Sequence, residues 1–207
     1  MSLRYQALPF PPGKSPFCIK GIFYRSNIEY IERAIPGGLA KVLGLIRDPE
    51  LRSFFEQPFT ASSWYDIFPL AVIAYPCAEL SDKTHEAYMR TRASYQAEEQ
   101  GATTYRSLLA LTSPAAVALK LPLLGAQLYN FGATDAREVG PRRVEVVRSG
   151  LPMPLVSWYV PSAEAYVTTA LGLSGANKPR VQTSAFRGQG KLHGLSVGSV
   201  CHTFSWE

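Results

Sequence analysis

The sequence has 207 residues, of which 46% are apolar and 18% are charged, and its mean hydropathy is −0.03. This composition excludes a disordered tail, a coiled coil and a collagen-like fibre, and it predicts an ordinary globular chain. The net charge of +5 is spread along the chain instead of forming a basic stripe, so the sequence does not indicate nucleic-acid binding.

The cysteines and the N-terminal residues indicate where the protein works. Cys18, Cys77 and Cys201 are far apart and have no CxxC spacing, which predicts buried thiols in a reducing compartment and no metal site. Four prolines in residues 1–17 predict an extended arm and no signal peptide. We expect one domain over residues 18–207, a cytoplasmic location and no membrane association.

The first third of the sequence shows helical patterns. A capping box at Ser26–Glu29 predicts a helix of about ten residues that starts there. A second helix is predicted over Leu39–Ile46. Asp48, followed by Pro49, predicts the N-terminus of a third helix over Glu50–Gln57.

The middle of the sequence continues this helical pattern. The nearly uninterrupted apolar segment Trp64–Leu80 predicts a buried core helix that is capped by Ser63, interrupted at Pro69 and ended near Pro76. Further helices are predicted from Ser81 or Asp82 to about Gln100, over Tyr105–Leu111, and from Ser113 to about Asn130.

After residue 132 the sequence changes to alternating and β-branched patterns. They predict a hairpin of Ala136–Val139 and Arg143–Arg148, an extension of the sheet over Val156–Val160, a helix over Ser162–Leu173, and strands over Arg180–Arg187 and Leu195–Trp206 joined by a turn at 188–194. We therefore expect an α+β fold, in which an N-terminal helical part packs on a C-terminal, mainly antiparallel sheet of order β-β-α-β-β.

The densest basic cluster lies in the predicted hairpin. It comprises Arg137, Arg142, Arg143 and Arg148, interrupted by acidic residues. We interpret it as the solvated face of the hairpin, with an anion-binding face as the alternative.

Three patterns typical of catalytic or metal sites lack the structural context they need. Gly194-Leu-Ser196-Val-Gly198 matches a nucleophile elbow, but too few residues follow it to supply an acid and then a histidine. The glycine-rich residues 188–191 precede no helix, so a hairpin turn is favoured over a phosphate loop. His85, His193 and His202 have no metal-ligand spacing, and charged neighbours place His85 in a solvated region. Adjacent Cys201 and His202 should face opposite sides of a strand.

The aromatic residues are the most informative feature. Tyr88, Arg92 and Tyr95 share one face of a predicted helix. Buried tyrosines need polar partners, which an amphipathic small molecule in a cavity can provide. The candidate ligand-binding residues are Trp64, Tyr65, Phe68, Tyr88, Arg92, Tyr95, Tyr129 and Trp158. The alternative is a filled core with tyrosines that reach the surface.

Five short segments carry a resemblance to a known family: Ile19–Phe23, Ser63–Asp66, Leu111–Pro114, Tyr129–Gly132 and Thr203–Trp206. On these segments the chain resembles a family of about 200-residue proteins that occurs as many paralogues in myxobacteria. More distantly, the element order, with Cys201 and Phe204 in the last strand, resembles sensory domains of the 4-vinyl-reductase and haem-nitric-oxide-binding types.

These sensory families hold hydrophobic ligands or haem between helices and sheet, often in regulatory dimers. The resemblance thus implies the same fold and a small-molecule ligand. Two departures bear on cofactors. Tyr88-Met-Arg90-Thr-Arg92 lacks the serine of the haem-binding Tyr-x-Ser-x-Arg signature, and the metal-associated cysteine pair of the vinyl-reductase type is reduced to Cys201. We therefore expect neither haem nor any other cofactor.

Three functions remain open from the sequence. The first is a non-catalytic ligand-binding or regulatory module that holds a hydrophobic or aromatic small molecule between helices and sheet. The second is an enzyme of specialised metabolism that uses acid–base groups such as Tyr88, Arg92 and Glu99. The third is a scaffold or adaptor that forms a homodimer through an apolar patch.

Overall fold

The computed structural model describes residues 8–102 and 113–207. The predicted helix Tyr105–Leu111 and the first seven residues of the predicted arm lie outside the described residues. The chain divides into two compact units, Met1–Met89 and Arg90–Glu207, which are described separately below.

The first unit is mainly helical. Its elements are β1 (Cys18–Lys20), α1 (Gly21–Ala34), α2 (Gly38–Gly44), α3 (Pro49–Phe54), β2 (Trp64–Asp66), α4 (Phe68–Leu80) and the first turn of α5 (His85–Ala102). The predicted cap of α3 is confirmed, because a carboxylate oxygen of Asp48 accepts hydrogen bonds from the backbone N–H groups of Glu50 and Leu51. The cap thereby supplies an acceptor to two of the backbone N–H groups that have no partner within the helix at its start.

The segment predicted as the start of the core helix is instead a short strand. Trp64–Asp66 pairs antiparallel with Cys18–Lys20, and α4 begins only at Phe68. Asp66, which precedes the N-cap residue Ile67, accepts a hydrogen bond from Phe68 N, the first N–H of α4, at 2.9 Å. Ser63 is therefore not the cap. The predicted interruption at Pro69 and end near Pro76 are also wrong, because Pro69 lies in the first turn of α4 and the helix continues through Pro76 to Leu80.

Two other helix boundaries differ from the prediction. Helix α1 starts five residues before the predicted capping box, so Ser26 lies inside the helix and its hydroxyl donates to the carbonyl of Phe23. The long helix α5 is capped by neither Ser81 nor Asp82. Thr84 Oγ1 accepts from Ala87 N at 3.1 Å and fills that role.

The second unit carries the sheet. After the continuation of α5 come α6 (Pro114–Ala126), β3 (Ala133–Gly140), β4 (Arg143–Pro152), a 3-10 turn (Met153–Leu155), α7 (Val156–Leu173), β5 (Arg180–Thr183), β6 (Arg187–Leu192) and β7 (Leu195–Ser205). The strand order is β3-β4-β7-β5, β6 also pairs with β7, and every one of these pairings is antiparallel. The predicted α+β class with an antiparallel sheet is confirmed.

Three predictions within this unit are wrong. The predicted strand Arg180–Arg187 ends at Thr183 as β5, and Arg187 begins β6. Val156–Val160 is not a strand but the first part of α7, because Ser162–Leu173 and this segment form one continuous helix. The glycine-rich segment predicted as a turn is mostly strand β6, and the turn itself is confined to His193 and Gly194, both of which have positive φ.

The inner face of the sheet is apolar at one end. Val144 and Phe204 are paired across β4 and β7, and they belong to a buried cluster with Val117 of α6 and Leu171 of α7. Burial of this apolar surface against two helices is the main stabilising term for such a layer. Within the described part of the chain, no helix is long and apolar enough to cross a membrane.

A candidate ligand site in the second unit

The inner face of the sheet becomes polar one row beyond its apolar end. Side chains of alternate residues point to the same face of a strand, so Arg148 lies on the same face of β4 as Val144 and Val146. Arg148 is 1% exposed. The prediction that it belongs to the solvated face is therefore wrong, because its position in the alternation places it inside.

The remaining members of the basic cluster are solvated, as predicted. Arg142 and Arg143 are exposed at the hairpin turn. Arg137 pairs with Glu145 at 2.6 Å on the outer face of the hairpin. An exposed pair of this kind contributes little to stability.

The guanidinium of Arg148 is held by neutral groups. Nη2 donates to the carbonyl of Phe131 at 2.7 Å, and Nη1 donates to Thr134 Oγ1 at 3.3 Å. Its Cζ atom lies 4.9 Å from the ring centroid of Tyr129 and 6.0 Å from that of Tyr159. Among the described residues no carboxylate pairs with Arg148, and its buried Nε has no hydrogen-bond partner there.

A second buried arginine acts on the same tyrosine. Arg92 on α5 is 2% exposed. Burial raises the pKa of Tyr129 well above its ordinary value, and the positive charges of Arg148 and Arg92 partly oppose that shift. Burial also raises the pKa of Tyr159. Both phenols are therefore neutral near pH 7. We call Arg92, Tyr129, Arg148 and Tyr159 the arginine–tyrosine cluster.

A buried hydrogen-bonded chain lies beside this cluster. His202 on β7 is 1% exposed, and its Nδ1 is 2.8 Å from Thr183 Oγ1. The hydroxyl of Thr183 donates to Oε1 of Glu164, whose Oε2 accepts from Arg90. The ring of Tyr159 lies 6.2 Å from that of His202, centroid to centroid, so Tyr159 neighbours both Arg148 and His202.

Burial determines the protonation of His202. It lowers the pKa of this imidazole to about 4, while the negative charge of Glu164 partly opposes the shift. His202 is thus neutral at pH 7. Within the part of the chain that the structure describes, its Nε2 is buried and makes no hydrogen bond.

The predicted ligand-binding residues of the first unit lie in several places. Tyr65 packs edge-on against Phe59 and its hydroxyl accepts from Thr60 N, while Phe68 packs edge-on against Phe17. Trp64 is 44% exposed and is covered on one face by the ammonium of Lys20. Tyr88 is buried beside Tyr30.

Of the predicted residues of the second unit, the structure brings Arg92 and Tyr129 together electrostatically. Tyr95 is half-buried, and Trp158 is buried with an Nε1–H that donates to none of the described residues. Sequence reasoning missed Arg148 and His202. The signal was present, because each continues a strict apolar alternation: Val144, Val146, Arg148 and Val200, His202, Phe204.

The histidine and cysteine predictions have mixed outcomes. The prediction that His85 is solvated is wrong, since its ring stacks on Tyr75 at 4.1 Å and is buried. Cys201 and His202 face opposite sides of β7, as predicted. The three cysteines remain thiols. Searched over residues 8–102 and 113–207, the chain has no group of three His, Cys, Asp or Glu side chains that could hold a metal ion.

Comparison with solved structures identifies the architecture. The chain superposes on an H-NOX protein from K. algicida, in the unliganded Fe(II) state, with a TM-score of 0.57 and 13% identity over 89% of this chain and 96% of that one. An H-NOX protein from S. oneidensis gives a TM-score of 0.58 at 10% identity, over 91% and 96% of the two chains. A Tt H-NOX variant gives 0.59 at 11%, over 90% and 95%.

The chain has an H-NOX-like fold. The resemblance to the haem-nitric-oxide-binding type is thereby confirmed at the level of architecture. No protein-family model and no curated protein matches the sequence. Identities this low carry the fold alone, and function has to be argued from the site.

This fold implies a haem, whose iron takes an axial ligand such as a histidine imidazole. His193 is exposed in a hairpin turn. Nε2 of His85 is enclosed beside the stacked ring of Tyr75, and Nε2 of His202 is enclosed beside Tyr159 and Phe204. The three histidines therefore do not fit the axial position of a haem.

Proposed function

We propose that this protein is a non-catalytic ligand-binding module of the sensory type, and that its second unit binds a small aromatic or hydrophobic molecule that carries an anionic group. The H-NOX-like fold supports the sensory role. The observation that carries the proposal is the buried guanidinium of Arg148, surrounded by aromatic rings and without a carboxylate partner among the described residues.

The physical argument concerns the cost of burying a charge. A charged group taken out of water is unfavourable unless an opposite charge and hydrogen bonds compensate it. Arg148 receives one carbonyl and one hydroxyl, which satisfy two donors but supply no negative charge. A ligand carboxylate would supply that charge, and a guanidinium binds carboxylates in a two-point geometry.

The aromatic rings around Arg148 indicate the chemistry of the uncharged part of the ligand. Tyr129 and Tyr159 flank the guanidinium, and both are only half-buried, so they can be reached from the surface. Their hydroxyls are neutral and their faces are apolar. An aromatic or hydrophobic body fits this environment, because ring–ring contacts add to the gain from burying apolar area.

The second function considered, acid–base catalysis, has less support. The raised pKa values of Tyr129 and Tyr159 make both phenols poor bases near pH 7. The low pKa of His202, about 4, makes its imidazole a weak base near pH 7. Binding therefore explains the cluster with fewer assumptions than turnover does.

The experiment uses benzoate and its uncharged analogue benzamide as probes, with affinity measured by calorimetry on the full chain. We expect wild-type protein to bind benzoate at least about tenfold more tightly than benzamide. Arg148→Met should abolish that preference. Arg137→Met, which changes an exposed arginine of the same hairpin, is the matched control and should leave it intact. Equal affinity of wild type for the two probes, or an unchanged preference in Arg148→Met, would overturn the proposal.

A further inference from the structure

We infer that His202 is a specificity-determining residue, and that the ligand of the second unit carries a hydrogen-bond donor, such as a phenolic hydroxyl, in addition to its anionic group. This inference rests on the proposed function and names the chemistry of the ligand more closely. It is carried by the hydrogen-bonded chain from His202 through Thr183 to Glu164.

The first step fixes the tautomer of the imidazole. A threonine hydroxyl has one proton to donate, and in this chain Thr183 donates it to Glu164. The lone pairs of Thr183 Oγ1 then face Nδ1 of His202, which must carry the proton and donate it. In a neutral imidazole only one nitrogen bears hydrogen, so Nε2 of His202 is an acceptor.

The second step concerns where that acceptor lies. Nε2 is buried and accepts no hydrogen bond from the described residues. A buried acceptor without a donor is unfavourable by about 1–3 kcal/mol. The titratable and charged groups that face the imidazole are Glu164 of α7, through Thr183 of β5, and Tyr159, also of α7. Of these two groups, Tyr159 is the one whose displacement would expose Nε2 to a ligand.

The third step places a ligand between the two groups. The ring centroid of Tyr159 is 6.0 Å from Arg148 Cζ and 6.2 Å from the centroid of His202. Tyr159 is half-buried, so its ring can move outward. An aryl ring that took its place would lie between the guanidinium of Arg148 and the imidazole of His202. A carboxylate substituent would then reach Arg148, and a hydroxyl substituent would reach Nε2 of His202.

The test compares probes that differ only in the donor. The probes are 3-hydroxybenzoate, 4-hydroxybenzoate and the corresponding fluorobenzoates, in which fluorine replaces the hydroxyl and cannot donate. We expect at least one hydroxybenzoate to bind wild type about tenfold more tightly than its fluoro analogue. His202→Asn should remove this difference, since the asparagine amide can still donate to Thr183 but presents nothing at the position of Nε2.

Thr183 is the positioning residue, and two variants test it. Thr183→Val should reduce the hydroxyl preference, and Thr183→Ser, which keeps the hydroxyl, should restore it. An independent readout is the tautomer of His202 in the ligand-free protein, measured by two-bond ¹H–¹⁵N correlation NMR. Wild type and Thr183→Ser should show a protonated Nδ1, and Thr183→Val should not hold that tautomer.

The outcomes separate the two proposals. If benzoate binds through Arg148 but the hydroxyl gives no preference, the inference about His202 fails while the proposed function stands. Finding the proton of wild-type His202 on Nε2 overturns the inference whatever the probes do. If no probe binds wild type, the proposed function fails and the inference fails with it.

Discussion

Thr183 Oγ1 lies 2.8 Å from Nδ1 of His202, and the two residues are directly opposed in the β5–β7 ladder. The same hydroxyl donates to Glu164 on α7. One threonine therefore joins an edge strand, the central strand β7 and the helix that covers the sheet. A buried hydrogen-bond network of this kind fixes side-chain orientation as well as contributing to stability.

Replacing Thr183 by valine should destabilise the protein by about 1–3 kcal/mol. Valine has nearly the same shape, but it leaves the N–H of His202 without an acceptor and removes one donor from Glu164. The free energy of unfolding, measured with urea at pH 7, gives the effect. Thr183→Ser keeps the hydroxyl and should recover most of the loss; equal destabilisation by valine and serine would show that the methyl group matters more than the network.

The low pKa of His202 predicts acid sensitivity. Its ordinary value is 6.5 and its value in the folded protein is about 4. Between these pH values the unfolded chain binds a proton that the folded chain does not bind, so stability falls as the pH is lowered from about 6.5 to 4. The contribution lost is about 3 kcal/mol, at about 1.36 kcal/mol for each pH unit.

A variant isolates this contribution from those of other groups, including His85, whose pKa is also lowered by burial. His202→Asn cannot titrate at this position. We expect the stability difference between wild type and His202→Asn to shrink as the pH falls from 6.5 to 4, in urea titrations at matched ionic strength. A difference that stays constant over this range would contradict the assignment.

The sequence predicts local structure well where a few neighbouring residues determine it. The Asp48 cap, the helix start at Ser113 and the hairpin β3–β4 are of this kind, and all three are present in the structure. The helix predicted over Trp64–Asp66 is wrong because the strand conformation of this segment depends on pairing with Cys18–Lys20, a segment far earlier in the chain. Local patterns do not contain that information.

The candidate site was predicted only in part for a similar reason. Helical spacing indicates Arg92 and aromatic residue type indicates Tyr129, and both belong to the cluster. Residue type alone predicts Arg148 at the surface, because charged residues usually lie there. The alternation that places it inside is visible only when β4 is followed as a strand with one buried face.

Gly132 should not tolerate a side chain, because it lies close to the backbone of Ser149 and to the guanidinium of Arg148. Its φ is +66°, and a Cβ there would lie 2.3 Å from the carbonyl oxygen of Ser149 and 3.2 Å from Nη2 of Arg148. Gly132→Ala should therefore cost about 1–3 kcal/mol and displace the guanidinium. Gly140→Ala, in the same hairpin, meets nothing within 4 Å and serves as the control. The melting temperatures of the two variants should be compared by thermal unfolding. Equal melting temperatures would contradict the predicted loss of stability in Gly132→Ala.

In the first unit, Asp66 holds the segment around Gly13 and Ser15 by hydrogen bonds. One carboxylate oxygen accepts from Gly13 N at 3.0 Å and Ser15 N at 3.4 Å, and the other accepts from Phe68 N at the start of α4. Asp66→Asn replaces one acceptor oxygen by an NH₂ group, which then faces backbone donors. We expect a loss of about 1–3 kcal/mol and faster amide hydrogen exchange at Gly13 and Ser15.

Asp48→Asn provides the comparison, because it makes the same chemical change at an exposed cap. Asparagine is as good an N-cap as aspartate, and the amide oxygen of the substituted side chain could still accept from Glu50 N and Leu51 N. The stability of this variant should stay within about 0.5 kcal/mol of wild type. If the two variants lost equal stability, or if exchange at Gly13 and Ser15 stayed slow in Asp66→Asn, the segment would be held by the packing of Phe10 and Phe17 on Phe68 and not by the carboxylate.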